Sequence, residues 1–264
     1  MKNGMKNALV RVVAACAMAT AAASASASGS LYPPAPIDSR DVASLQRGAQ
    51  IFVNYCLSCH SASSMRYSRL KDIGLSEKQI KENMIFTDRK IGDTMVSSMS
   101  KADATKFFGA PPPDLSVIAR SRGADYLYAY LRNFYEDPSR PSGWNNAIFD
   151  KASMPNALWE QGGTKRPQLG PDGKPVTEVN PQGSVVPKLV WARPGLHTRI
   201  DGAGNVDSSE FDAYVADLVN YLDWMAEPAK NSRIRIGSIV LMFLLGVMLP
   251  LAYFLKKDYW KNVH

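Results

Sequence analysis

Along residues 43–56, ASLQRGAQIFVNYC, the positions Leu45, Gly48, Ala49, Phe52, Val53 and Cys56 recur at spacings of three and four. That period places small and apolar side chains on one face of a helix. A second stretch, DSSEFDAYVADLVNYLDWMAEP, repeats it with Phe211, Tyr214, Val215, Leu218, Leu222 and Met225. Asp207 or Ser208 is placed to cap this helix, Glu210 stands where a capping box needs it, and Pro228 follows its end. Small Gly48 and Ala49 would let the first helix cross the second at close range. Any helical domain predicts such stripes, so the pattern by itself gives two helices and no function. Residues 160–206 are instead rich in Gly and Pro, which predicts a hairpin and loops, with KPVTEV and PKLVWA as its two short strands.

Two uninterrupted apolar runs break the amphipathic pattern. Ile236–Leu255, IGSIVLMFLLGVMLPLAYFL, is a run of twenty residues without a charge. As a helix it spans roughly 30 Å, the thickness of one bilayer core. Pro250 lies near its end, where a missing N–H is tolerated or gives a mild kink. The other run, Val12–Ala23, follows Lys2, Lys6 and Arg11 and passes into alternating Ala and Ser. A basic start, a short apolar core and A-x-A sites at Ala23–Ala25 and Ala25–Ala27 read as an export signal. The expected organisation is a signal peptide over 1–27, a periplasmic domain over 28–230, a transmembrane anchor over 236–255 and a cytoplasmic tail over 256–264. A lipid-attachment box ending at Cys16 competes for the leader, but Arg11 leaves it too short an apolar core. Basic residues flank the anchor on both sides, so the exported N-terminus sets the orientation and the charge does so only weakly.

Charge then changes the picture. The chain carries +7 overall, but the leader and the anchor flanks hold the excess. The remaining domain has 22 basic against 23 acidic residues, which removes the basis for a nucleic-acid role. Within it, Asp201–Glu227 holds seven acidic residues and no Lys or Arg. Such a stretch is either a face that steers a basic partner or a solvated helix surface whose first acids favour the macrodipole. Asp212, Asp217 and Asp223 lie off the apolar stripe and have no capping role.

The chain has three cysteines and three histidines, yet Cys56, Cys59 and His60 fall within five positions as C-x-x-C-H. If Cys16 leaves with the leader, both remaining cysteines are in this motif. A thioredoxin-like pair needs a βαβ context that is missing here. A zinc site needs four ligands, and only His197 and His264 remain to supply them. Covalent haem attachment explains the spacing. Residues three apart share a helix face, so Cys56 and Cys59 reach two porphyrin vinyl groups, and His60 turns its imidazole to the iron. For the iron's other face the mature chain offers Met65, Met84, Met95, Met99, Met154, Met225 and His197. Methionine is usually a gap-filler. Met154 differs by lying on a polar loop with Pro155 after it, which holds the backbone still.

Four segments in order, CLSCHSASSMRYSRL, GAPPPDLSVIARSRGADYLYAYL, AIFDKASMPNAL and YVADLVNYLDWMAEPAKNSRIRIGSIVLMFLLGVMLPLAYFLKKDYW, resemble the cytochrome c1 family, the membrane-anchored haem subunit of the cytochrome bc1 complex, in its bacterial form. C-x-x-C-H alone says haem c; the P-P-D-L-S segment and the W-M-A-E-P run into the anchor are specific to the family. The resemblance implies a mainly α fold: a class I-like cytochrome c domain with long loops and one C-terminal transmembrane helix. It implies one covalently attached haem c with Met154 as axial ligand, a ridge including Pro112 against one haem face, Arg120 on a propionate and Tyr126 in the pocket. His197 is read as structural or surface.

The implied activity is one-electron transfer in the respiratory chain of the bacterial inner membrane. Electrons come from the Rieske iron–sulfur subunit and leave to a soluble c-type cytochrome, while quinol oxidation belongs to the cytochrome b subunit of a dimeric complex. His/Met ligation favours a relatively high potential. An anchored haem subunit of a periplasmic dehydrogenase is the alternative, and a second haem motif would favour it. A gas sensor would need an open iron position.

Overall fold

The structure, a computed structural model, describes residues 31–180, 182–201 and 205–262; the expected signal peptide and the competing box at Cys16 lie outside them. Helices α1 (Val42–Ile51), α2 (Glu77–Asn83), α3 (Lys101–Phe108), α4 (Ile118–Arg122), α5 (Ala124–Arg132), α6 (Trp159–Gly162) and α7 (Ser209–Ala226) build the domain, and α8 (Lys230–Phe243) and α9 (Leu249–Tyr259) form the C-terminal segment. Among the described residues the strands pair as two-stranded antiparallel ribbons: β1 (Ala62–Arg66) with β2 (Thr94–Met95), β3 (Phe134–Glu136) with β4 (Trp144–Asn146), β5 (Thr164–Pro167) with β8 (Leu189–Arg193), β6 (Thr177–Val179) with β7 (Val185–Pro187), and β9 (Arg199–Ile200) with β10 (Val206–Asp207). The two expected strands meet only at one end, where Thr177 pairs with Pro187 and the Lys188 N–H donates to the Val176 carbonyl at 2.8 Å; the rest of the second pairs elsewhere. β6 turns back on β7, while β8 returns to β5, with tight turns at Gly170–Gly173 and Asn180–Gly183.

The core lies where α1 crosses α7. Leu45 and Ala49 from the first, with Phe52 just after it, meet Val215, Leu218, Tyr221 and Leu222 from the second, all buried. Gly48 sets the approach: a Cβ there would stand 2.0 Å from the Asp217 carbonyl oxygen and 2.7 Å from Tyr221 Cβ. Gly48→Ala is therefore expected to push the two helices apart at a cost of about 3 kcal/mol, the upper end for overpacking. Thermal unfolding of the detergent-solubilised protein checks this. α1 ends at Ile51, five residues short of the expected extent, and continues as a π-helical turn over Phe52–Cys56. That wider turn delivers the C-x-x-C-H loop.

Two other expectations fail at α7. Ser208 takes the N-cap position without a side-chain bond. Asp207 accepts from the Ser209 N–H at 2.9 Å, and Glu210 is drawn off by Arg199, so no capping box forms. Nor is the acidic run a bare face. Asp212 pairs with Arg132 at 2.6 Å, Asp217 with Arg47 at 2.5 Å, Asp223 with Lys230 at 3.1 Å and Glu227 with Arg233 at 2.6 Å. The cations come from α5, α1 and α8, which no count along α7 reveals. With Glu210 beside Arg199, five of the seven acids stand next to a cation, which weakens the helix's long-range pull on a basic partner.

Beyond the domain, Lys230–Tyr259 is one helix of 30 residues with mean hydropathy 2.4 over its most apolar stretch, none of which is buried in the chain. Ile, Leu, Val and Phe point outward on all sides, which fits a single membrane pass. Pro250 has no N–H for the Gly246 carbonyl and would crowd it. A π-helical turn over Leu244–Met248 widens the helix just before it, and the Leu249 N–H reaches the Leu244 carbonyl. Tyr253, Tyr259 and Trp260 stand near Lys256 and Lys257 at the far end, residue types suited to an interface.

Candidate functional site

A cleft of about 360 Å³ opens beside the α1–α7 crossing. Its walls come from the C-x-x-C-H loop, the Pro111–Pro113 ridge, α4, α5, the loop through Met154, and Leu218 and Leu222 of α7. The sequence scatters these groups over almost 170 residues, and the fold brings them to one place. Cys56, Cys59, His60, Pro112, Tyr126 and Met154 all line it.

His60 is held rigidly. Its Nδ1–H donates to the Pro113 carbonyl at 2.8 Å, and since a carbonyl only accepts, the tautomer is fixed and Nε2 keeps its lone pair. Burial lowers its pKa, opposed by the Pro113 bond and the Asp114 charge. Behind the motif, Asp114 accepts from the Ser63 N–H at 2.9 Å, the Ser63 hydroxyl at 2.7 Å and the Ser116 N–H at 2.8 Å. The Leu115 N–H donates to the Ser61 carbonyl at 2.8 Å. The proline ridge is thereby stapled to the loop that carries His60. Ser97 braces the other side, its hydroxyl donating to the Ser58 carbonyl at 2.6 Å.

Burial alone would raise the Asp114 pKa, but the bonds from Ser116 and Ser63 hold it below the usual carboxylate range. Asp114→Asn sets an amide N–H against the Ser63 donors and is expected to cost about 1 kcal/mol. With the folded pKa depressed, this contribution is complete above the unfolded value of about 3.9 and is lost as pH falls through the folded one. The stability gap between wild type and variant, read from denaturant titrations, should therefore narrow below about pH 4.

Cys56 and Cys59 are free thiols, and burial pushes Cys56 up to about 12. Among the described residues no cluster of three or more His, Cys, Asp or Glu is placed for a metal. The other candidate ligands are occupied elsewhere. Met65, Met84, Met95 and Met225 are core, with the Tyr221 hydroxyl 3.7 Å from Met95 Sδ. His197 stacks on Tyr214 with centroids 4.8 Å apart, away from the cleft. Of the described methionines only Met154 lines the cleft.

The Met154 loop is organised by Asn145 and Asn146, both buried. Asn146 accepts from the Ile148 N–H at 2.8 Å and donates to the Tyr130 carbonyl at 2.8 Å. Asn145 accepts from the N–H of Lys151 at 2.9 Å and helps hold that residue at φ 60°, a left-handed conformation. Paired Asn residues ahead of a turn were the available signal for this support.

Arg120 is the expected site residue that the structure does not bring to the cleft. It is exposed, and Arg122 lines the wall instead, 5.9 Å from the Tyr126 ring centroid. Two positions on a helix differ by about 200°, so both cannot face one cleft. Ile118 also lines it, and Arg122, four residues on, shares that face. That spacing was readable from sequence.

The residues fit a haem: an apolar slot with two thiols and an imidazole nitrogen on one loop, and a thioether from another. A helical domain built around such a slot, with one apolar C-terminal helix, defines a membrane-anchored cytochrome of the c type. Residues 34–263 match the Cytochrome C1 family, and the chain belongs to it. It is similar to the ammonia monooxygenase gamma subunit of Nitrosomonas europaea, 47% identical over 87% of this chain and 88% of that protein. It is 43% identical to cytochrome c1 of Allochromatium vinosum over 87% of this chain and 88% of that one. Cytochrome c1 of Rhodospirillum rubrum is 30% identical, over 84% and 83%. As a family member the chain is a haem electron carrier and a redox subunit of the cytochrome bc1 complex.

Proposed function

We propose that the chain carries one haem c, bound through thioethers to Cys56 and Cys59 with His60 Nε2 and Met154 Sδ as axial ligands, and relays single electrons from the Rieske iron–sulfur subunit to a soluble c-type cytochrome. The observation that carries this is the meeting of those four side chains in one apolar cleft. When bound, the haem supplies an iron that changes by one electron with no bond made in a substrate. The protein's part is to orient and exclude water. Pro113 aims His60, Asp114 and Ser97 fix the loop, and Pro111–Pro113 with Leu218 and Leu222 keep the slot dry. Arg122 is placed for a propionate, with Tyr126 beside it. Residues 1–27 export the chain, 28–230 work in the periplasm, 236–255 cross the inner membrane among its lipids, and 256–264 end in the cytoplasm. Cytochrome b and Rieske subunits are the partners, in a dimeric complex.

A second reading has one observation in its favour, the name of the 47% identical relative: electron delivery as a subunit of a periplasmic oxidising enzyme such as a monooxygenase or dehydrogenase. Purification in mild detergent separates the two. Co-isolation of cytochrome b and Rieske subunits with ubiquinol–cytochrome c reductase activity is expected. Co-isolation with monooxygenase or dehydrogenase subunits and no cytochrome b would overturn the first reading.

A further inference from the structure

The aromatic part of the cleft wall contains a hydroxyl that the electron-carrier reading leaves without a role. Tyr130, on α5, lines the cleft, and its hydroxyl lies 3.8 Å from Met154 Sδ, within reach of a hydrogen bond to sulfur. Its ring is clamped. Tyr126 stacks on it with centroids 5.8 Å apart and planes at 15°, and Phe134 meets it edge-on at 5.0 Å. Its carbonyl accepts from Asn146 Nδ2 at 2.8 Å, and Asn146 also organises the turn leading to Met154. Tyr130 and the methionine loop are thus fixed to each other twice, once through backbone and once through sulfur. A group that only filled space would need neither its hydroxyl nor that registry.

We propose that Tyr130 is a positioning residue for the Met154 sulfur: its hydroxyl donates to one Sδ lone pair and thereby selects the other for the iron and weakens its donation. The proposal rests on Met154 being the axial ligand. A thioether sulfur has two lone pairs and is a weak acceptor. A donor on one withdraws density from the other, which costs the ferric state more than the ferrous and so raises the potential. The same contact pins the rotation of the methionine about its last bond, because the hydroxyl is held by a ring that cannot turn. Leucine or phenylalanine would pack this wall as well; a tyrosine adds only the donor.

The test uses the full-length, haem-loaded protein in its complex and reads the haem midpoint potential and the far-red charge-transfer band of methionine-bound ferric haem. Tyr130→Phe keeps the ring and removes the hydroxyl. The expected result is a three- to tenfold fall in the ferrous-to-ferric ratio at fixed ambient potential, or about 30 to 60 mV at 59 mV per tenfold. The band should shift and haem content should stay unchanged. Should Tyr130→Phe fail to accumulate, 3-fluorotyrosine placed at position 130 gives the opposite sign: a stronger donor in the same ring, raising the potential. A wild-type band with a midpoint unmoved by the Phe substitution, or by fluorotyrosine, overturns the role of Tyr130 alone. A wild-type protein with no such band, whose reduced form binds carbon monoxide, overturns the Met154 ligand and this proposal together.

Discussion

A protein carrying both Cys56→Ala and Cys59→Ala should retain no haem that survives denaturing electrophoresis or acid extraction. Thioethers are the only bonds in the proposed site that outlast unfolding, since the axial contacts of His60 and Met154 require the folded cleft. The two sulfurs leave the chain from the π-helical turn and the loop after it, and each single replacement keeps one attachment. The single variants should therefore hold covalent haem at reduced yield, and only the double variant should lose it. A second consequence follows from the packing. Leu218 and Leu222 of α7 and the proline ridge line the slot, so a chain without its haem exposes part of its own core. A deficit of about 1–2 kcal/mol from that exposure would lower steady-state abundance several-fold, measurable by immunoblot of the membrane fraction. Haem staining that persists in the double variant would mean that Cys56 and Cys59 are not the attachment sites.

How much of this could be read from the chain alone depends on whether a feature is local. The two packing helices and the twenty-residue apolar run are encoded by spacing within one segment, and the structure has a helix at each; C-x-x-C-H, equally local, lies on the cleft wall. Gly48 was legible for the same reason, since a small residue on an apolar face has few uses besides close crossing. Strand pairing was not, because β5, β6, β7 and β8 are all short and any of them satisfies the same pattern; long-range register chose β5 with β8 and β6 with β7. The acids of α7 misled in a similar way. Asp212, Asp217 and Asp223 read as a charged face until Arg132, Arg47 and Lys230 arrive from three other helices. Arg120 is a different failure, where matching a segment was given precedence over helix geometry. Asp114, Ser97, Asn145 and Asn146 carry the support of the site, yet each acts through a backbone partner; the Asn pair signalled a turn, but short polar residues do not reveal which carbonyl or N–H they will find.

Met154→Lys should keep covalent haem and lower the midpoint potential strongly, by roughly 0.1 V or more within the ~0.8 V range that axial ligands span. A thioether is a soft donor that favours ferrous iron, whereas an amine is harder and favours ferric. The lysine must also lose its proton to bind, so the variant's potential should become pH-dependent: at low pH the ammonium leaves the iron and the ferrous preference partly returns. Met154→Leu removes the donor without adding another. Its reduced form should bind carbon monoxide, while the wild type, with both axial positions filled, barely responds. These effects exceed the shift expected from Tyr130→Phe, because they change the ligand atom and not its polarisation. The surroundings favour Met154 over every rival among the described methionines. Met95 sits at 0% exposure in the core, and Met65, Met84 and Met225 are buried in the same core cluster and do not line the slot. Of the candidates outside the C-terminal helix, Met99 is neither core nor cleft, its N–H held by the Ser97 hydroxyl at 3.1 Å. A midpoint unchanged in both Met154 variants, with no carbon monoxide binding in Met154→Leu, would rule out Met154 and move the assignment to Met99. That outcome would require the segment after β2 to swing into the cleft, breaking the Ser97–Ser58 bond that braces the C-x-x-C-H loop.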